Sequence, residues 1–270
     1  MPELPEVESV ARQLRPRLVG RRIADVWCDP QSRFIAVHEA RGAAVTSLDR
    51  RGKYMLARLA MPDGADRELV MHLGMTGSFR FRGECWAPDA YVRATLTLND
   101  AILDFRDVRR FGRLTVVPVG EYGAIATLAR LGPEPLGPDF DPAGFAAALS
   151  QSRMPVKAQL LSQRPVAGVG NIYADEALWR ARINPRARRI GPARAQRLWE
   201  AIRVVLRDAI EREGTTFRDY QMVNGESGRN ATFLIAYGQS GQPCPRCQTI
   251  LRKTVLAGRG TTYCPRCQRS

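Results

Sequence analysis

Cys244-Pro-Arg-Cys247, sixteen intervening residues and Cys264-Pro-Arg-Cys267 occupy the last 27 positions of the chain. Each CxxC pair supplies two thiolates from one tight turn, and four thiolates suit a closed tetrahedral zinc site. Ile250, Leu251, Val255 and Leu256 are the main apolar bulk between the pairs, so the metal is expected to hold the segment in shape. Arg252, Lys253 and Arg259 lie between the pairs, and Arg246 and Arg266 lie inside them, which makes the expected hairpin strongly cationic. Two disulfides, or a zinc ribbon that binds only protein, are the competing readings of this pattern.

The rest of the chain fits a polyanionic partner. Its 270 residues hold 41 Lys and Arg against 27 Asp and Glu, a net charge of +14. Such an excess points to nucleic acid, the alternative being a basic protein that is merely soluble. The length suffices for two domains besides the finger. No run of 18 apolar residues suggests a spanning helix. The Met-Pro-Glu start lacks the basic and apolar regions of a secretory signal. The two remaining cysteines, Cys28 and Cys85, are isolated and read as inert filler in a reducing compartment.

Working back toward the N-terminus, residues 5–18 read as a helix. Pro5 suits a first helical position, Glu3, Glu6 and Glu8 favour the positive end of its dipole, and Val7, Val10, Ala11, Leu14 and Leu18 form one stripe. From about 22 to 118, short runs separated by Gly, Asp-Gly and Asn-Asp breaks predict strands in a β-sandwich. These runs are Ile23–Val26, Phe34–Val37, Tyr54–Leu59, Val70–Leu73, Ala94–Leu98 and Leu114–Val117. Residues 119–140 are rich in Gly and Pro and read as a linker. Helical periodicity resumes at about 142 and continues to about 213, with clear stretches at Val156–Leu161, Ile172–Ala181 and Ala193–Ile210; the helical domain is expected over 141–236 and the finger over 237–270. The fold class is therefore α+β: a sandwich domain with an N-terminal helix over 1–118, then a helical domain and a finger. Asn224–Asn230 is polar and breaker-rich and is expected to be a mobile loop.

Met1 precedes Pro2, and removal of Met1 would leave a secondary amine. An α-amino group has an ordinary pKa near ~8, far below that of lysine, so much of it is neutral at working pH. Such an amine attacks an aldehyde-like carbon and gives an iminium, an effective electron sink. Glu3 stands beside it and could move protons. Taken alone, Pro2-Glu3 is equally a lead-in to the helix.

The whole string resolves this. Met1-Pro-Glu-Leu-Pro-Glu-Val-Glu8 resembles the start of the formamidopyrimidine-DNA glycosylase family. Arg51-Gly-Lys-Tyr54, His72-Leu-Gly-Met-Thr-Gly77, Asp107-Val-Arg-Arg-Phe-Gly112, Leu131-Gly-Pro-Glu-Pro-Leu136, Gly168-Val-Gly-Asn-Ile-Tyr173 and the four-cysteine finger are similar to its further blocks, in family order. Leu4 stands where the related endonuclease VIII branch usually has Gly, which favours the oxidised-purine branch.

The resemblance implies Pro2 as nucleophile at C1′ of the damaged nucleotide, Glu3 as acid/base, and Lys53 as a DNA contact that assists elimination. It implies Arg259 at the lesion phosphate in the later elimination. The Gly168–Tyr173 block resembles the turn of a helix–two-turns–helix motif, which implies Asn171, Lys157 and Arg153 on backbone phosphates. Free N–H groups at a helix start suit such contacts. Chemistry at C1′ requires the nucleotide to leave the stack. Met75, Arg109 and Phe111 match the residues that fill the gap, and Arg109 would also read the orphaned cytosine; without the family, Met75 and Phe111 read as core. His72 is either a phosphate contact or a satisfied core histidine.

Two positions depart from the family pattern: Val108 replaces the usual Pro, and Gln239 replaces the usual Arg before the finger. The implied protein is a DNA-repair glycosylase and abasic-site lyase, with one structural Zn2+ on Cys244, Cys247, Cys264 and Cys267. Damaged double-stranded DNA would run through a basic cleft between the domains. A monomer in the bacterial cytoplasm, associated with the nucleoid and with no membrane, is expected. An oxidised-pyrimidine glycosylase of the endonuclease VIII type, or a zinc-finger DNA binder without chemistry, are the rivals.

Overall fold

The structure is a computed structural model that describes residues 1–30, 32–83, 86–216 and 220–269. The prediction for Cys85 lies outside the described residues. Met1–Ala129 and Arg212–Arg229 form one compact unit, and Arg130–Glu211 with Asn230–Ser270 form a second.

The first unit opens with α1 (Leu4–Leu18). Its predicted stripe is realised: Val7, Val10, Ala11, Leu14 and Leu18 are all fully or almost fully buried. Each of the Val and Leu side chains among them contributes about 1.5–3 kcal/mol by leaving water. Among the described residues eight strands follow: β1 (Ile23–Cys28), β2 (Ala44–Arg51), β3 (Tyr54–Ala60), β4 (Asp66–His72), β5 (Ser78–Phe81), β6 (Val92–Leu98), β7 (Ile102–Arg106) and β8 (Arg113–Pro118). They form two antiparallel sheets, β1-β6-β7-β5 and β2-β3-β4-β8, and α1 with the inner faces of both encloses one apolar core. The β-sandwich expectation holds.

Three details differ from the sequence reading. Phe34–Val37 is not a strand: the short helix α2 (Ser32–Ile35) runs into a 3₁₀ turn, Ala36–Ala40. Phe34, Val37 and Ala40 are buried at every third position, which is helical spacing rather than alternation. The expected linker is packed. It contains α3 (Ala126–Ala129), and Phe140 is buried between Phe145 and Trp199, whose Nε1 donates to the Phe140 carbonyl at 2.8 Å. Finally, 212–229 leaves the helical domain. Met222 and Val223 enter the sandwich core, and the Arg229 amide donates to the Arg212 carbonyl at 2.9 Å, closing the segment. Cys28 is buried in that core, and burial pushes its thiol up, in keeping with inert filler.

The second unit holds α4 (Pro142–Ser150), α5 (Val156–Leu161), α6 (Asn171–Arg180), α7 (Pro192–Glu211) and the hairpin β9 (Arg252–Leu256) with β10 (Arg259–Tyr263). Asp141 caps α4 by accepting from the Ala143 and Gly144 amides at 3.0 and 2.8 Å. Between α5 and α6 the chain makes two turns, stabilised where the Gly168 amide donates to the Gln163 side chain at 2.9 Å. This is a helix–two-turns–helix. No helix among the described residues is long and apolar enough to cross a membrane.

Candidate functional site

Pro2 is buried at the head of α1, and Glu3 and Glu6 are only 2% and 1% exposed. The Glu3 amide donates to Glu6 Oε2 at 2.7 Å, the return half of a capping box, while Glu6 Oε1 accepts the Thr215 amide at 2.7 Å. The Tyr220 hydroxyl donates to the Glu6 carbonyl at 3.1 Å. The 212–229 segment thus clamps the first turn of α1, and an otherwise fraying terminus becomes fixed.

Lys53 lies in the turn between β2 and β3 but is only 3% exposed, so it is not an ordinary turn lysine. Its charge, after burial, is the largest influence that drives the His72 pKa down to about 4; Arg113 and Arg33 add to it. His72 ends β4, opposite Tyr54 across the ladder, with ring centroids 4.6 Å apart. The Gly74 amide donates to His72 Nδ1 at 3.2 Å. The neutral ring therefore carries its proton on Nε2, where it is a donor.

Met75, Arg109 and Phe111 sit on two adjoining loops. Asp107, fully buried, clasps both: its carboxylate accepts from Thr76 Oγ1 at 2.5 Å and from the Gly112 amide at 2.7 Å. The Arg109 amide donates to Thr76 Oγ1 at 3.0 Å. Gly74 has φ +63°, and a Cβ there would stand 2.4 Å from the Gly112 nitrogen, so the two backbones touch. Held this way, the loops present Phe111 45% exposed, with the Arg109 guanidinium 4.7 Å from its ring centre, and Val108 exposed beside them. Phe111 is therefore not a core residue. The Asp107 clasp sets this loop without the proline that Val108 replaces.

In the second unit, Arg153 and Arg259 are exposed, and Asn171 opens α6. Asn171 Nδ2 donates to the Gly260 carbonyl at 3.1 Å. Lys157 requires a correction. It is 0% exposed, and its ammonium donates to Asp175 Oδ1 at 2.7 Å, Thr261 Oγ1 at 2.9 Å and the Gly260 carbonyl at 3.2 Å. Three donors meet three internal acceptors, so this lysine is not a surface phosphate contact. The sequence reading also missed Asp175 and Glu176. Glu176 accepts the Ile235, Ala236 and Tyr237 amides at 2.8–3.2 Å, and Asp175 accepts the Thr262 amide at 2.9 Å. Burial pushes the Asp175 carboxyl up to about 6, against the pull of Lys157. Two adjacent carboxylates, Asp175-Glu176, inside the helical run Ile172–Ala181 were the available signal.

The four cysteine Sγ atoms lie within 4.8 Å of one another. Cys247 and Cys264 Sγ are 3.5 Å apart, far beyond the ~2.05 Å of a disulfide and close to the spacing of thiolates around one ion. The Cys267 amide donates to Cys264 Sγ at 3.3 Å, a contact that a ligating sulfur can accept. The donor set fits one Zn2+, and four thiolates leave no position for a catalytic water, so the ion is structural. Arg246, inside the first CxxC, donates to the Trp179 and Arg180 carbonyls at the end of α6 and lies 3.8 Å over the Trp179 ring.

A β-sandwich headed by a buried Pro-Glu, joined to a helix–two-turns–helix unit with a four-thiolate ribbon, defines a narrow architectural class. Three profiles match in chain order: "Formamidopyrimidine-DNA glycosylase N-terminal domain" over 1–114, "Formamidopyrimidine-DNA glycosylase H2TH domain" over 131–221, and "Zinc finger found in FPG and IleRS" over 241–269. The formamidopyrimidine-DNA glycosylase of Thermus thermophilus is 46% identical, covering 99% of this chain and 98% of that protein. That of Deinococcus radiodurans is 44% identical, with 99% and 97% covered. The crystal structure of MutM (Fpg) from Thermus thermophilus superposes with a TM-score of 0.91 at 46% identity, over 99% of this chain and 98% of that one. A complex of Lactococcus lactis Fpg with abasic-site DNA gives 0.88 at 32% identity, over 99% and 100%. The chain belongs to the formamidopyrimidine-DNA glycosylase family.

Proposed function

We propose that this protein is a bifunctional DNA glycosylase and abasic-site lyase that excises formamidopyrimidines and 8-oxoguanine from duplex DNA in base excision repair. The observation that carries the reading is Pro2 at the clamped head of α1, directly before buried Glu3. With Met1 removed, the Pro2 nitrogen attacks C1′ and the glycosidic bond breaks, the base leaving with its bonding electrons and a proton. The sugar ring opens to an iminium, with Glu3 moving the proton. That cation acidifies C2′: loss of a C2′ proton breaks the bond to the 3′ phosphate, and a further elimination releases the 5′ phosphate. Lys53 assists these eliminations, and Arg259 holds the lesion phosphate.

The exposed Phe111 with Met75 and Arg109 occupies the space left by the extruded nucleotide. Arg109 donates to the orphaned cytosine, and the His72 Nε2 proton faces a phosphate oxygen. Asn171 and Arg153 contact the backbone on the second unit. The partner is damaged double-stranded DNA, the working form is a monomer, and the site of action is the nucleoid.

The test is excision from duplexes carrying 8-oxoguanine, a formamidopyrimidine or thymine glycol. The account expects release of both purine lesions, with 8-oxoguanine best opposite cytosine. Preference for thymine glycol would move the protein to the oxidised-pyrimidine class. Duplex binding with no excision would leave only a zinc-finger DNA binder.

A further inference from the structure

We infer that Asp175 is a positioning residue that sets where Arg259 stands; this rests on Arg259 acting in the elimination steps, as proposed above. Arg259 is the first residue of β10 and follows the two-residue turn Ala257-Gly258, both at positive φ. Nothing about an exposed arginine on a hairpin tip fixes its place. The three residues that follow it do. The Gly260 carbonyl accepts from Lys157 Nζ at 3.2 Å and from Asn171 Nδ2 at 3.1 Å. Thr261 Oγ1 accepts from Lys157 at 2.9 Å, and the Thr262 amide donates to Asp175 Oδ2 at 2.9 Å. Asp175 Oδ1 closes the arrangement on Lys157 at 2.7 Å.

Asn171 and Asp175 are one turn apart on α6, so one helix face holds β10 at successive residues. The hairpin thus has two independent anchors. The thiolates and their ion hold its base, while the buried Asp175–Lys157 pair holds the strand immediately beside Arg259. A buried pair of this kind adds little net stability but fixes register, because any slip strands a charge or an amide without a partner. The finger can therefore keep its metal and still misplace Arg259. A displacement of about 1 Å at a reacting group costs as much as ~10²-fold in rate.

The experiment uses Asp175→Asn and, against a folding failure of that variant, the apolar pair Lys157→Met/Asp175→Leu, in the full chain. Zinc content, borohydride-trapped adduct and elimination rate on an abasic duplex are measured for each, and again in an Arg259→Ala background. Expected are one Zn2+ per chain, trapping within about 2-fold of the parent, and elimination slowed roughly 10–100-fold. In the Arg259→Ala background the Asp175 change should add nothing, since the residue it positions is gone. Loss of zinc together with all activity in both variants, or full additivity with Arg259→Ala, would overturn the inference. If Arg259→Ala slows elimination and the Asp175 variants do not, positioning fails while the role of Arg259 stands. If Arg259→Ala leaves elimination unchanged, both are lost.

Discussion

Gly74→Ala is the sharpest probe of the proposed wedge. At φ +63° the position lies in the left-handed region, where an alanine costs about 1–2 kcal/mol more than glycine. Its Cβ would also meet the Gly112 nitrogen at 2.4 Å, the Phe111 carbonyl carbon at 2.5 Å and its oxygen at 2.8 Å, all backbone atoms that cannot swing away. Ordinary contact begins near ~3.5 Å, so the two loops must part by roughly 1 Å. Overpacking of this kind adds about 1–3 kcal/mol, for a total near 2–5 kcal/mol. Gly20→Ala is the matched control: φ is +84°, with nothing within 4 Å of the added Cβ, so only the conformational cost of about 1–2 kcal/mol applies. Denaturant unfolding reads the stability difference. Single-turnover cleavage reads the wedge: excision of 8-oxoguanine needs the base extruded, whereas a preformed abasic site has less stacking to break. Gly74→Ala should therefore slow base excision by about 10–100-fold and abasic cleavage clearly less. If Gly74→Ala matches Gly20→Ala in both stability and excision, the close loop contact does not set the wedge.

Three further outcomes are expected. Cys247→Ser should release the ion, measured by zinc stoichiometry, and duplex affinity should fall with it; a zinc-free variant of full activity would refute the structural role. His72 has a pKa near 4 when folded against about 6.5 unfolded, so the unfolded chain takes up the proton first as pH falls. Stability should drop between about pH 6.5 and 4, by at most ~3 kcal/mol, and His72→Phe should flatten that slope in pH-dependent unfolding; an NMR titration midpoint at 6 or above for His72 would contradict it. Duplex affinity should fall with salt at a log–log slope of roughly −0.9 per phosphate neutralised, and Arg153→Ala should make the slope shallower by about one contact; an unchanged slope would remove Arg153 from the interface.

Much of this was legible in residue order because its causes are local. The α1 stripe repeats within one helix, and the CxxC pairs set their own turns, so both could be read without knowing what they pack against. Phe34–Val37 was misread because four apolar residues do not declare a period. The third-position burial of Phe34, Val37 and Ala40 shows only in the fold. Lys157 was misassigned for a different reason. A lysine in a phosphate-binding motif reads as a surface cation until it is known that Asp175 on the next helix and Thr261 on the distant hairpin converge on it. The 212–229 segment follows the long α7 in sequence, yet the Glu6–Thr215 bond and the burial of Met222 tie it to the sandwich. Asp107 was visible as part of a block, but its work as the clasp between two loops is a property of tertiary contact.

The central claim is that the Pro2 nitrogen forms the covalent bond to the sugar. It is tested most directly by incubating the protein with an 8-oxoguanine duplex in borohydride, digesting the trapped complex and sequencing the modified peptide by mass spectrometry. The account predicts a reduced deoxyribose remnant on the N-terminal peptide beginning at Pro2, with Met1 absent. A remnant on Lys53 or any other lysine, or none at all under conditions where the base is released, would contradict it.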